Sequence, residues 1–280
     1  MTAIDRKRRT DSAADVTAET ISDFGEQWVN FRDNPGYYGS VDLLADLCGP
    51  LLSLEDLQGA RVADIGSGTG RIVNMLLDAG ASHVVAIEPS AAYSVLRENT
   101  ESRQHAITYI NDRGESLPPT GNLDVVVSMG VIHHIPEPAP VLDAAYRALR
   151  PGGRILVWLY GFEGNEMYLR FVEPLRAVAK RLPHRLLQGV CAVLNLALDA
   201  YIFLCRFIPL PMRAYARNVL ARLPRKVRGL TIYDQLNPAY AKYYRREEAE
   251  ALLLRAGFTD VRTYHRHGYS WTVTGGKPPA

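Results

Sequence analysis

The chain has 280 residues, with 32 lysines and arginines against 30 aspartates and glutamates, for a formal net charge of +2. This balance favours neither a nucleic-acid-binding protein nor a strongly acidic one. The three cysteines, Cys48, Cys191 and Cys205, form no C-x-x-C pair, which excludes a zinc site of that type and a disulfide framework, and we predict no metal. The basic residues at 6–9 precede no apolar run, so we expect no secretory signal and a cytoplasmic protein.

The first 58 residues fall into two predicted parts. Residues 1–20 are polar and rich in small side chains, which predicts a disordered tail. Residues 21–58 are predicted to form a helical cap, because aromatic residues cluster at 24–38 and an apolar helical stripe runs through 41–54.

A short apolar run followed by three glycines is the clearest motif. The run ends at Asp64 and predicts a buried parallel strand, and Gly66, Gly68 and Gly70 follow in a G-x-G-x-G turn before a predicted helix. A dinucleotide site needs G-x-G-x-x-G and an anion at the helix N-terminus, which Asp64 would repel, whereas an ammonium group would be attracted. The next run ends at Glu88, whose carboxylate can accept hydrogen bonds from both hydroxyls of a ribose. An ammonium and a ribose without a pyrophosphate indicate S-adenosylmethionine.

Further apolar runs continue the pattern of a sheet covered on both faces. The later strands are predicted at 84–87, 107–110, 124–128, 154–159, 258–264 and 269–274. With these runs and Leu-Arg-Pro-Gly-Gly at 149–153, the chain resembles the class I S-adenosylmethionine-dependent methyltransferases of the bacterial small-molecule type. The resemblance covers about 59–158 and resumes from about 243.

The resemblance implies an α/β fold with a doubly wound, seven-stranded Rossmann-like methyltransferase sheet and an α-helical lid insertion after the fifth strand. The implied cofactor-binding core is 59–162, the helical lid or acceptor insertion is 163–240, and 241–280 supplies a helix and a hairpin that complete the core.

The same resemblance implies the cofactor contacts. Asp64 and the glycine backbone would hold the methionine part and Glu88 the ribose. An aspartate is common in this family near the adenine, where this chain has Arg113, so that Asp112 and Glu115 are both candidates to replace it. The predicted cofactor-binding set is Asp64, Gly66, Ser67, Gly68, Gly70, Glu88, Pro89, Asp112, Arg113, Glu115 and Met129.

Three residues are candidates for catalysis. His133 and His134 follow the fourth strand, at the sheet edge where ligands bind in open α/β folds, and imidazole titrates near neutral pH. Either could act as a base, and the alternative is that both orient the loop. Tyr160, which ends the fifth strand, is the third candidate. The acceptor pocket is predicted to contain Trp28, Tyr37, Tyr38, Tyr233, Asp234 and Tyr240, each with a purely structural role as the alternative.

The insertion has an unusual composition. Residues 165–230 hold twelve basic and three acidic side chains, and 186–208 are almost entirely apolar, with one thin stripe formed by Gln188, Asn195, Asp199 and Arg206. Pro209 and these polar residues argue against a membrane span. A helix at an anionic membrane surface, a lid over an apolar acceptor, and a face packed on the core or on a second subunit remain as alternatives. RNA ranks lower, and DNA is not predicted.

The combined prediction is an S-adenosylmethionine-dependent methyltransferase that acts on oxygen or carbon of a small, lipophilic or lipid-linked acceptor. Peripheral contact with the inner membrane face through 165–230 and a homodimer are further expectations. A tRNA-modifying methyl- or carboxymethyltransferase is one alternative, because Gly-Glu-x-Leu-Pro at 114–118 is similar to the tRNA uridine carboxymethyltransferases. A non-catalytic protein that binds S-adenosylmethionine is another.

Overall fold

A single seven-stranded sheet organises the chain. The computed structural model describes residues 13–170, 172, 184–236 and 240–279, and gives the backbone alone for 184, 185, 187, 188 and 233–236. The strands are β1 Arg61–Ile65, β2 His83–Ile87, β3 Ile107–Ile110, β4 Leu123–Met129, β5 Leu149–Tyr160, β6 Thr259–Arg266 and β7 Ser270–Gly276. Their order in the sheet is β3-β2-β1-β4-β5-β7-β6, with β7 antiparallel to both of its neighbours and the other pairs parallel. The predicted seven-stranded Rossmann-like sheet is confirmed.

Helices cover both faces of this sheet. They are α1 Ala13–Asn30, α2 Val41–Cys48, α3 Arg71–Asp78, α4 Tyr93–Asn99, α5 Ala139–Ala148, α6 His184–Leu204, α7 Arg213–Asn218, α8 Arg225–Leu236 and α9 Arg246–Arg255. Successive strand residues point to opposite faces: Val125 belongs to the core under α2 and α3, and Val126 to the core under α5 and α9. Burial on both sides explains the nearly continuous apolar runs of the central strands.

The N-terminal part differs from the sequence prediction. Residues 13–20, assigned to the disordered tail, form the first turns of α1, and Thr20 is buried. The predicted helix over 41–54 ends at Cys48, because Gly49 has φ of 55° and a side chain there would meet the Tyr264 ring at 2.4 Å. Tertiary contacts therefore decide where α1 begins and where α2 ends, and the local polarity of the sequence does not reveal these positions.

The insertion contains α6, α7 and α8. The apolar helix predicted over 186–208 ends at Leu204 in the structure, and a turn carries the chain to Pro209. Residues of α6, α7 and the turn at 220–223 form a small buried core of their own, which also packs against Tyr37 and Tyr38. Within the part of the chain that the structure describes, no helix is long and apolar enough to cross a bilayer.

Candidate functional site

The glycine turn after β1 forms the floor of the site. Gly66, Gly68 and Gly70 have φ of +78°, +51° and +80°, a region that side chains with a Cβ rarely adopt. A Cβ at Gly66 would lie 2.4 Å from Val131 Cγ2. The turn therefore favours glycine at these positions, and the absence of side chains lets a ligand approach its backbone closely.

Glu88, which directly follows β2, stabilises this turn by hydrogen bonds. Its carboxylate accepts hydrogen bonds from the Gly68 backbone N–H at 2.8 Å and from the Ser90 backbone N–H at 2.9 Å, and also from the Ser90 hydroxyl. The side chain is 6% exposed and lines the cavity described below. A carboxylate offers about four acceptor positions, so Glu88 can hold the turn and still accept a hydroxyl group.

Asp64, at the end of β1, lies beneath the turn. It is 1% exposed, and neither carboxylate oxygen has a hydrogen-bond partner among the described residues. Burial raises the pKa of Asp64 to about 7. An unpartnered buried carboxyl beneath a glycine turn fits a cationic ligand group such as the ammonium of S-adenosylmethionine, because a nearby positive charge favours the ionised carboxylate.

One cavity of about 1010 Å³ extends from the glycine turn to the insertion. Some of the cofactor-binding residues predicted from the sequence line this cavity, and others do not. Those that line it are Gly66, Ser67, Gly68, Glu88, Pro89, Arg113, Glu115 and Met129. Asp64, Gly70 and Asp112 do not. Asp112 instead accepts from the Arg113 backbone N–H at 2.7 Å and the Ser116 hydroxyl at 2.8 Å, so its carboxylate stabilises the loop after β3.

The two predicted histidines occupy different environments. His134 lines the cavity, and its Nδ1 lies 2.7 Å from the main-chain O of Tyr240. A carbonyl oxygen only accepts hydrogen bonds, so Nδ1 carries the proton and the neutral ring has its lone pair on Nε2. His133 is fully buried outside the cavity lining, against the Tyr160 ring at 3.9 Å. Burial, together with His134, lowers the pKa of His133 well below its usual value and keeps that ring neutral.

The predicted acceptor residues are only partly brought together. Trp28 and Tyr38 line the cavity, as does Tyr160. Tyr37 lies outside it, with the Arg222 guanidinium 3.7 Å above its ring. Tyr240 also lies outside the lining and contacts the site through its main-chain oxygen. The side chains of Tyr233 and Asp234 fall outside the described part of the structure.

Sequence reasoning missed most of the remaining wall. The side facing the insertion is largely apolar and aromatic, from α1, α6, α7, α8 and the final hairpin. It includes Ile21, Phe24, Leu194, Leu198, Tyr201, Tyr215, Leu220, Arg228 and Tyr269. The available signal was the amphipathic pattern of α1 and the tyrosines at 201 and 215 within an apolar stretch.

Comparison with known proteins agrees with this geometry. Residues 63–157 match the family model of a methyltransferase domain. An uncharacterized methyltransferase of Mycobacteroides abscessus is 32% identical over 119 residues, covering 40% of this chain and 46% of that protein. A tRNA U34 carboxymethyltransferase of Idiomarina loihiensis is 30% identical over 118 residues, covering 40% of this chain and 36% of that protein. The chain thus spans less than half the length of these curated relatives.

Solved structures share the fold over nearly the whole chain. Magnesium protoporphyrin IX methyltransferase of Synechocystis PCC 6803 has a TM-score of 0.53 at 15% identity, covering 95% of this chain and 100% of that chain. A 1,6-didemethyltoxoflavin-N1-methyltransferase of Burkholderia thailandensis has a TM-score of 0.53 at 14% identity, covering 96% and 91%. At these identities the likeness concerns the fold. Residues 63–157 therefore match a methyltransferase domain, and the sheet order and the glycine turn agree with a seven-stranded Rossmann-like fold around it.

Proposed function

We propose that this protein methylates oxygen or carbon of a small, lipophilic or lipid-linked acceptor. The observation that carries the proposal is the continuity of the cavity, which joins the glycine turn and Glu88 to an apolar wall made by the insertion. When bound, S-adenosylmethionine supplies an electrophilic methyl group on its sulfonium. The insertion wall suits an apolar acceptor, because apolar surface removed from water favours binding.

Cofactor binding is assigned in this proposal to the cavity residues around the glycine turn. Glu88 would accept a hydrogen bond from the ribose of the cofactor beside the glycine turn, and the buried Asp64 would favour the cofactor's positive charge from below. Arg113 and Glu115 line the adjoining part of the cavity, where the adenine would lie.

His134 is proposed as the base for an acceptor that must lose a proton. Its Nδ1 hydrogen bond to Tyr240 orients the ring, and the lone pair on Nε2 is the group that can accept a proton. Phe24 of α1 packs edge-on against this ring at 4.7 Å between centroids, so α1 would help to shield the reacting region from water. His133 lies against this ring at 4.2 Å between centroids, and Tyr160 meets it edge-on at 5.6 Å, so both would position it.

Transfer to tRNA is the second candidate, supported by the 30% identity to a tRNA U34 carboxymethyltransferase over the core domain. The predominantly apolar wall of the cavity favours the lipophilic acceptor over a nucleotide. We further propose that the protein acts on the cytoplasmic side of the membrane and that the insertion is the part that contacts it. The alternative is that a second copy of the chain covers that surface in a homodimer.

The test uses S-adenosylmethionine labelled in its methyl group, incubated with the full chain and either a bacterial lipid extract or total tRNA. We expect label in the organic phase, and loss of that label in Glu88→Ala, because the variant lacks the carboxylate that accepts from the Gly68 and Ser90 N–H groups and holds the turn. Titration calorimetry should show an affinity for S-adenosylmethionine lower by about 10- to 100-fold in Glu88→Ala, the range for losing charged hydrogen bonds.

The matched control is Glu247→Ala, at an exposed glutamate in the first turn of α9, which should behave like the wild type. Label in tRNA instead of lipid would favour the second candidate. Cofactor binding without transfer to either fraction would contradict the proposed activity and identify a binding protein.

A further inference from the structure

The outer side of α6 is the most apolar exposed surface among the described residues. Ten large apolar side chains in this part of the chain are exposed, and seven of them lie within 186–208. We define the α6 outer face as Leu186, Val193, Leu196 and Phe203 on the helix and Phe207 and Ile208 in the turn after it. Phe207 is 71% exposed and Val193 69%. An apolar concentration of this kind on one element marks an interaction surface.

The position of this face around α6 follows from helix geometry. At 3.6 residues per turn, the four helical members fall within about 100° of one another. A second arc of the helix, with Leu194, Leu198 and Tyr201, lines the cavity. A third arc, with Asn195 and Asp199, contacts α8. The outer face is therefore the arc that neither the cavity nor α8 occupies.

The segment that carries this face has an excess of positive charge. Residues 186–230 contain seven basic side chains and one acidic side chain, Asp199, which pairs with Arg225 at 3.1 Å and Arg228 at 2.7 Å. Arg222 and Lys226 pair with Asp42 and Asp33, which belong to the N-terminal part of the chain. Arg206 is exposed in the turn between Phe203 and Phe207, and Arg217 is exposed on α7. Neither forms an ion pair with an acidic side chain that the structure describes. The surface thus combines apolar side chains with uncompensated cationic charge.

We propose that the α6 outer face docks onto an anionic lipid bilayer, with α6 lying in the membrane plane. A basic, apolar helical face binds such a surface by burying its apolar side chains near the headgroups while its arginines attract anionic lipid. A symmetric contact between two copies would instead bring the same arginines of both chains together, which the charge opposes. This inference rests on the proposed function, which assigns membrane contact to the insertion. The same helix lines the cavity, so a lipophilic acceptor could enter directly from the bilayer.

The experiment measures co-sedimentation of the full chain with vesicles, without cofactor or acceptor, so that its outcome is independent of methyl transfer. One vesicle type is phosphatidylcholine alone and the other contains equal parts of phosphatidylcholine and phosphatidylglycerol. We expect binding to the anionic vesicles, weakened by raised salt, and a loss of at least about 10-fold in affinity for the double variant Phe203→Ser with Phe207→Ser. Arg206→Gln with Arg217→Gln should reduce the preference for anionic vesicles.

Leu254→Ser is the matched control, because Leu254 is 56% exposed on α9, like Phe203 on α6, and lies outside the proposed face. It should bind vesicles as the wild type does. Leu186→Ser with Val193→Ser tests the other end of the face if the phenylalanine variant fails to fold. Absence of wild-type binding to anionic vesicles, or unchanged binding in both folded double variants, would overturn the proposal. A dimer in analytical ultracentrifugation that the same variants dissociate would also overturn it, by assigning the face to a second copy.

Discussion

At the scale of single residues, two acids at the ends of neighbouring strands have different roles. Glu88 is held by hydrogen bonds from the glycine turn, whereas Asp64 is buried without a partner among the described residues. The sequence placed both at strand ends, and it predicted both as direct cofactor contacts. Only the structure shows that Glu88 lines the cavity and Asp64 does not.

The pKa of Asp64 leads to a prediction about stability. Burial raises this pKa from 3.8 to about 7. The folded protein then binds a proton more tightly than the unfolded chain, so the stability associated with this proton is complete below pH 4 and is lost as pH rises through 7. We expect Asp64→Asn to stabilise the cofactor-free protein by up to about 4 kcal/mol at pH 8. The difference in free energy of unfolding between the two proteins should decrease towards pH 4.

Thermal unfolding of both proteins between pH 4 and 8 checks this expectation. S-adenosylmethionine should stabilise the wild type more than Asp64→Asn, because only the wild type can place a negative charge beneath the turn, where it would favour the ligand's ammonium group. A variant less stable than the wild type at pH 8 without cofactor would show that the buried carboxylate has a partner already.

Which of the two neighbouring histidines faces the cavity could be decided only from the three-dimensional structure. They are adjacent in sequence and both carry an imidazole, and both were candidates for catalysis from the sequence, with His133 ahead of His134. The turn after β4 directs His134 towards the cavity and buries His133 against Tyr160. No periodicity in the sequence distinguishes these two orientations.

At the scale of elements, the polar stripe of α6 is explained in part by α8. Asn195 donates to the main-chain O of Arg225 at 2.9 Å, and Asp199 pairs with Arg225 and Arg228. Arg206 lies beyond the end of the helix and is exposed. The stripe was visible in the sequence, but its partner helix lies some thirty residues away along the chain.

This contact predicts the effect of one substitution. Asp199→Asn should weaken the packing of α8 on α6 by about 2 kcal/mol, because Arg228, 14% exposed, would lose its charged partner. Hydrogen exchange should then be faster in α6 and α8 and unchanged in β1 and β4. Asp42→Asn is the control: Asp42 is 77% exposed and 3.5 Å from Arg222, so its loss should cost less than about 0.5 kcal/mol. Equal exchange in the two variants would contradict a structural role for Asp199.

At the scale of the whole molecule, a buried ion pair joins the cap to the last hairpin. Arg266 of β6 is 1% exposed. It donates from Nε to the Asp46 carboxylate of α2 at 3.0 Å and also donates from Nη2 to the same carboxylate. His267 lies 2.8 Å from the same carboxylate. Thr272 donates to the main-chain O of Leu47 at 2.6 Å. These contacts hold together segments that are more than 200 residues apart.

Asp46→Asn should destabilise the protein by about 3 to 5 kcal/mol near neutral pH, since it leaves the buried Arg266 charge without its partner. Burial raises the pKa of Asp46, but the ion pair with Arg266 outweighs it and holds this pKa below its usual value. The stability that this ion pair contributes is therefore present above pH 4 and is lost as pH falls further. The free energies of unfolding of the two proteins should converge in acid. Denaturant unfolding at a series of pH values from 7 down to 2 measures the difference between the two proteins.

Glu98→Gln serves as the control, since the Arg32 to Glu98 pair is half exposed and should contribute less than about 1 kcal/mol. If Asp46→Asn were no more harmful than Glu98→Gln at pH 7, the ion pair would not be what secures the cap to the hairpin.

Local physical signals in the sequence were enough to determine the sheet, the glycine turn and the cofactor class. Apolar runs identify buried strands, and the left-handed φ values of the turn favour glycine, which has no Cβ. The start of α1, the separation of His134 from His133 and the membership of the cavity wall were decided only by the tertiary structure. Each depends on contacts between segments far apart in the chain, such as Phe24 on His134, and no local pattern of residue types encodes such pairings.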